Sequence, residues 1–156
     1  MQNSQLQLPL EIQLQAACTT PRVRESYNLL ISFLPALKEL KPKYEHGSQD
    51  VELYREYVKK HFNFTAIELI EYLKAHPETC KVLLGYSYDK RYTSATFIQE
   101  WQNQYRVGWV PSGHNPINQI RVFSNFAEAT ADYVLFSWGF PRLTSEQANW
   151  IEVDHY

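Results

Sequence analysis

The stretch Ser124–Trp150, SNFAEATADYVLFSWGFPRLTSEQANW, decides how the rest of the chain is read. Asn125 precedes Glu128 by three residues, an N-cap and N3 spacing that satisfies otherwise orphaned backbone donors. After Asp132 the residues are apolar on nearly every side: Tyr133, Val134, Leu135, Phe136 and Trp138. A helix apolar all round has to be covered by other elements, so this one is expected at the centre of the fold. Gly139 supplies a left-handed stop, and Pro141 blocks resumption. The same residue types would suit a buried strand over Tyr133–Trp138, but the caps at both ends favour a helix. Thr144 and Gln147 repeat the capping-box spacing, which predicts a second, short C-terminal helix carrying Trp150.

Upstream of this stretch the hydrophobic period is two. Val82, Leu84, Tyr86 and Tyr88 alternate in a run that begins at Cys80 and breaks at Asp89-Lys90-Arg91. Ala95–Trp101 and Tyr105–Val110 are rich in β-branched and aromatic residues, and Gln102-Asn103-Gln104 between them suits a hairpin. The loop Pro111-Ser112-Gly113-His114-Asn115-Pro116 leads to a further strand at Gln119–Phe123. Four successive strands with short links predict an antiparallel meander.

The N-terminal half has a helical period. Thr20-Pro21 is a cap followed by proline, and Val23, Tyr27, Leu30, Ile31, Leu34, Leu37 and Leu40 follow three and four apart, with Pro35 kinking the helix. Ser48 caps a second helix through Val51, Tyr54, Val58 and Phe62. Thr65 and Glu68 form a capping box for a third, which stops before Pro77. Residues 6–16 alternate instead, with Leu6, Leu8, Leu10, Ile12 and Leu14 on one parity; this is either an edge strand or a loose arm. The expected fold is therefore α+β: N-terminal helices packed on a four-stranded antiparallel meander, followed by two C-terminal helices. Residues 1–19 are the arm or edge strand, and residues 20–156 one domain.

Composition sets limits on function. With 156 residues, 44% of them apolar and including eleven Tyr, eight Phe and four Trp, the chain can bury a real core. No apolar run reaches the roughly 18–20 residues that cross a bilayer. The stretch MQNSQLQLPLEIQLQ lacks the basic flank and apolar core of a signal peptide, so a cytoplasmic protein is expected. Cys18 and Cys80 read as buried free thiols rather than a disulfide framework. Asn63-Phe64-Thr65 matches a glycosylation acceptor, although Thr65 as a helix cap explains it better. The net charge of −2 argues against a general nucleic-acid or membrane binder. Its distribution is uneven: residues 80–123 carry Lys81, Lys90, Arg91, Arg106 and Arg121 against Asp89 and Glu100, for +3, while residues 124–156 stand at −4.

Catalytic signatures are missing from this sequence. It has no phosphate-cradling glycine loop, dinucleotide fingerprint, nucleophile elbow or paired histidines on a helix turn. The five histidines are scattered without metal-ligand spacing, so neither a metal nor a cofactor is expected. Ser112 and His114 share a loop, but neighbours in sequence do not make a nucleophile and base. The feature that remains is one sheet face. If Tyr105, Val107, Trp109, Ile120 and Val122 point inward, Arg106 and Arg121 point the other way. Either Thr96 and Ile98 or Phe97, Gln99 and Trp101 accompany them, and the second set would place arginines among aromatics, the composition of interface hot spots.

The general profile, a compact acidic α+β chain with many aromatics, is similar to that of small bacterial immunity and inhibitor proteins, a likeness carried by no motif. These observations lead to a non-catalytic protein-binding module of inhibitor or immunity type with an acidic protein partner. Its candidate binding residues are Arg106, Arg121, Trp101, Phe97, Arg91 and His114. The alternative is a small enzyme acting on an anionic small molecule around Arg106, Arg121 and His114. Single-stranded nucleic acid, which could use the same basic aromatic face, is the less favoured partner.

Overall fold

A computed structural model describes residues 8–19, 56, 59–88, 95–110, 117–144 and 150–153. The chain divides into two compact units, Met1–Phe64 and Thr65–Tyr156. The helix expected from Thr20 and most of the one capped by Ser48 lie outside the described residues.

In the first unit, Leu10–Ala17 form helix α1, so the alternating segment is not a strand over these residues. Leu and Gln are good helix formers and poor strand formers, and here that propensity outweighs the period. Gln13 is buried, and its amide is well satisfied. Nε2 donates to the Leu8 carbonyl at 2.9 Å and to Asn63 Oδ1 at 2.7 Å, while Oε1 accepts from Asn63 N–H at 2.7 Å. One buried side chain thus ties the helix to a segment fifty residues away, which makes its burial tolerable.

The second unit opens with α2, Ala66–Ala75, and its capping box is present in both directions. Thr65 Oγ1 accepts from Glu68 N–H at 3.1 Å, and Glu68 Oε1 accepts from Thr65 N–H at 2.8 Å. Leu69, Ile70 and Leu73 form the buried stripe. Thr65→Ala is expected to lower stability by about 1 kcal/mol in denaturant melts, because it leaves the Glu68 N–H to water; no change would place the helix start elsewhere.

Pro77–Tyr88 form a second helix, α3, where the sequence reading places the first strand of the meander. Proline at the first helical position and buried Cys80, Leu83 and Ser87 at helical spacing account for the outcome. The apparent alternation was incidental: Val82, one of its members, is 49% exposed.

The meander is consequently three-stranded rather than four-stranded: β1 Ala95–Trp101, β2 Gln104–Val110 and β3 Asn118–Phe123, each antiparallel to the next. After it comes α4, Phe126–Trp138, and then β4, Trp150–Val153, which adds antiparallel to β3 to give the order β1-β2-β3-β4. The expected C-terminal helix carrying Trp150 is therefore a strand at that residue. Asn-Trp-Ile-Glu-Val is a strand-prone run whose pairing edge on β3 could not be read locally.

Helix α4 is the buried centre that its sequence implies. Asn125 Oδ1 accepts from Glu128 N–H at 2.9 Å. Gly139, at φ 83°, closes the other end: its N–H donates to the Phe136 carbonyl and that of Phe140 to Leu135, the double bond of a Schellman cap. Ala129, Ala131, Val134 and Trp138 are fully enclosed. The helix packs on α2, α3 and the sheet, where Tyr105 stacks on Phe126 at 4.4 Å and Thr96 Oγ1 meets Ser137 Oγ at 2.7 Å.

Candidate functional site

Strand register decides which side chains share a face. Residues directly opposite in an antiparallel pair lie on the same side. Arg106 pairs with Gln99 on β1 and Val122 on β3, whereas Arg121 pairs with Val107. Since Val107 and Arg106 are neighbours in one strand, the two arginines lie on opposite faces of the sheet. The expectation that they share one face is corrected. It assumed that Ile120 and Val122 pointed the same way as Val107, which only the β2–β3 register could settle.

On the first face, Phe97, Gln99 and Trp101 accompany Arg106. Its guanidinium lies 5.3 Å from the Trp101 ring centroid and 6.0 Å from that of Phe97, and its Nε donates to Gln99 Oε1. This face is more enclosed than expected. Phe97, Ile120 and Val122 form a buried cluster with Trp101, Val110 and Ile117 packed against it. Gly108 permits that closure: a Cβ there would lie 2.9 Å from the Asn118 carbonyl oxygen and 3.0 Å from Phe97 Cε2 and Ile120 Cγ1. The accessible part is the hairpin end, where Trp101, Gln104 and Arg106 are half-buried and Gln102 and Asn103 exposed.

On the helix side, Arg121 is half-buried and its Nη1 donates to the Leu143 carbonyl at 2.8 Å. Its register partner on β4 is Glu152. Arg121 thus helps to fasten the segment that follows α4. The second fastening is Arg142, a residue the sequence reading counted only as a charge. Its Nε donates to both oxygens of Asp132 at 3.2 and 3.0 Å, and its Nη2 contacts the same carboxylate. Nη1 reaches the Gln119 carbonyl at 2.6 Å and Nη2 the Val107 carbonyl at 3.2 Å, while the guanidinium lies 4.2 Å from the Phe136 ring centroid. Asp132 is fully buried and also accepts from Leu143 N–H at 3.2 Å. The Gln119 carbonyl is aimed by the irregularity between β2 and β3, at which Gln119 takes φ 56°. An acid inside an apolar helix, followed ten residues later by the sole arginine of the C-terminal stretch, was the available signal.

Arg91 and His114, with Ser112, lie outside the described residues. Cys18 and Cys80 are buried free thiols. Burial pushes the Cys80 thiol up, against a hydrogen bond from Thr130, so this sulfur is not an activated nucleophile. Among the described residues, no three His, Cys, Asp or Glu side chains converge as a metal site. No helix among them is long and apolar enough to cross a membrane. Comparison with protein-family models, curated proteins and solved structures finds no significant match.

Proposed function

We propose that this chain is a non-catalytic, cytoplasmic protein-binding module of inhibitor or immunity type, contacting an acidic partner through the hairpin end of the Arg106 face. The observation that carries the reading is the stack of Arg106 against Trp101 and Phe97, with Nε held by Gln99. Arginine and tryptophan are the side chains most enriched at binding hot spots. A guanidinium already ordered on an aromatic surface loses less freedom when a carboxylate docks, so more of its interaction appears as affinity. The motive for an acidic counterpart is the guanidinium of Arg106 itself, since Arg121, part of the +3 charge of residues 80–123, lies on the other face. Phe97 is only 6% exposed and serves as the floor beneath Arg106 rather than as a contact. Arg121 lies on the other face, so the two arginines do not meet on one sheet surface, as the enzyme alternative assumed.

The test is capture from source lysate with the partner identified by mass spectrometry, followed by affinity measurement. Arg106→Ser is expected to weaken binding at least about tenfold, or roughly 1.4 kcal/mol. A folded variant with unchanged affinity would remove this face from consideration.

A further inference from the structure

The segment that leaves α4 is anchored at Leu143. This residue is 1% exposed, and both polar groups of its backbone have side-chain partners. Its N–H donates to Asp132 Oδ1 at 3.2 Å, and its carbonyl accepts from Arg121 Nη1 at 2.8 Å. Arg142, immediately before it, is bonded to the Asp132 carboxylate and to the Gln119 and Val107 carbonyls. Thr144, immediately after it, is exposed. None of these bonds involves β4. Detaching Leu143 would disturb a fully buried carboxylate and the guanidinium paired with it, a costly step for a folded chain.

β4 is tied differently. It is four residues long, stands at the edge of the described sheet and joins it by backbone pairing with β3, from Trp150 opposite Phe123 to Val153 opposite Ile120. A short edge strand has a neighbour on one side of the sheet only, so breaking one ladder releases it. Proteins open in pieces, each at the free energy of its own contacts. A piece that opens by itself ends where the anchoring changes, and here that is directly after Leu143. We infer that β4 is a latch strand: it leaves and rejoins the edge of β3 as a unit of its own, hinged beyond Leu143, while α4, Arg142 and Leu143 stay in place. The Arg121 bond to Leu143 survives this motion, because it runs from β3 to the anchor. Leu143 and Trp150 are close in sequence, so the opened strand stays tethered beside the edge it left and its recapture is intramolecular.

The test is native-state hydrogen exchange on the full chain, read amide by amide by NMR at a series of urea concentrations below the unfolding transition. The β4 amides that pair with β3 are expected to be protected, yet to exchange at least about a hundredfold faster than the Leu143 N–H and the amides of α4 after correction for intrinsic rates. Their exchange should respond little to urea, because a small opening exposes little surface, whereas Leu143 should exchange only with the global transition. Arg142→Lys keeps the charge and loses the fork. It should lower the protection of Leu143 at least about tenfold, the effect of a lost charge-assisted hydrogen bond, and leave that of β4 within about twofold. Exchange of β4 and Leu143 along one urea-dependent curve would overturn the inference, since anchor and strand would then open together. So would β4 amides as slow as those of α4, which leave no latch, or β4 amides with no protection, which leave no closed state. In the Arg142→Lys variant, unchanged protection at Leu143 or a matching fall in β4 would contradict the anchor. The wild-type measurement decides by itself where that variant does not fold.

Discussion

Asp132→Ala is expected to cost this protein about 3–5 kcal/mol of stability, the usual effect of breaking a buried ion pair by removing one partner. Asp132 is fully buried within α4, and the Arg142 side chain is 12% exposed. The carboxylate accepts from Arg142 and also from Leu143 N–H, so its loss strands a guanidinium and a backbone donor at once. Arg142 in turn holds the Val107 and Gln119 carbonyls, so helix, sheet and following segment are joined at one side chain. The measurement is a urea melt of the purified variant beside wild type. A loss below about 1 kcal/mol would mean that Arg142 swings into water without penalty, as an exposed pair would allow.

Trp138→Ala should be of similar size, about 3–5 kcal/mol, as for a large aromatic removed from a packed core. Trp138 is completely enclosed at the last turn of α4, directly before the Gly139 cap. Interiors pack too densely for neighbours to fill the space of an indole, so a cavity remains. The native fluorescence component lost in the variant should resist acrylamide quenching, in contrast to that of half-buried Trp101. A variant that melts like wild type would show that α4 is not the centre of the fold.

The parts of this fold that could be read from sequence are those fixed by local chemistry. The Thr65 box, the Asn125 cap and the Gly139 stop each involve residues within a few positions, and each element begins or ends where its cap implies. The three strands from Ala95 to Phe123 were likewise visible as β-branched and aromatic runs. Errors arose where a short pattern had two readings. Cys80–Tyr88 alternates like a strand and also presents Cys80, Leu83 and Ser87 at helical spacing; Pro77 was the deciding signal. Residues 10–17 had the period of a strand and the propensities of a helix. Trp150 became a strand residue because β3 offered an edge, a long-range fact that no window around Thr144 contains.

The site was legible in composition but not in geometry. Arg106 among Phe97, Gln99 and Trp101 was one of two arrangements considered, and the β1–β2 register selects it. Arg121 went to the other face because parity within a strand says nothing about parity between strands. Asp132 and Arg142 are joined by several hydrogen bonds, and the only sign of this in the sequence was an acid within an apolar helix. Their pairing depends on α4 lying across β2 and β3.

The division of labour between the two sheet arginines is tested most directly by Arg106→Ser and Arg121→Ser measured side by side, for stability by denaturant melt and for affinity against the captured partner. Arg106→Ser should stay within about 1 kcal/mol of wild-type stability, the scale of an exposed cation–π contact, and lose at least about tenfold in affinity. Arg121→Ser should lose about 1–3 kcal/mol of stability with the Leu143 bond, and bind normally where it is folded. The reverse pattern, with Arg121→Ser defective in binding and Arg106→Ser defective only in stability, would contradict the account.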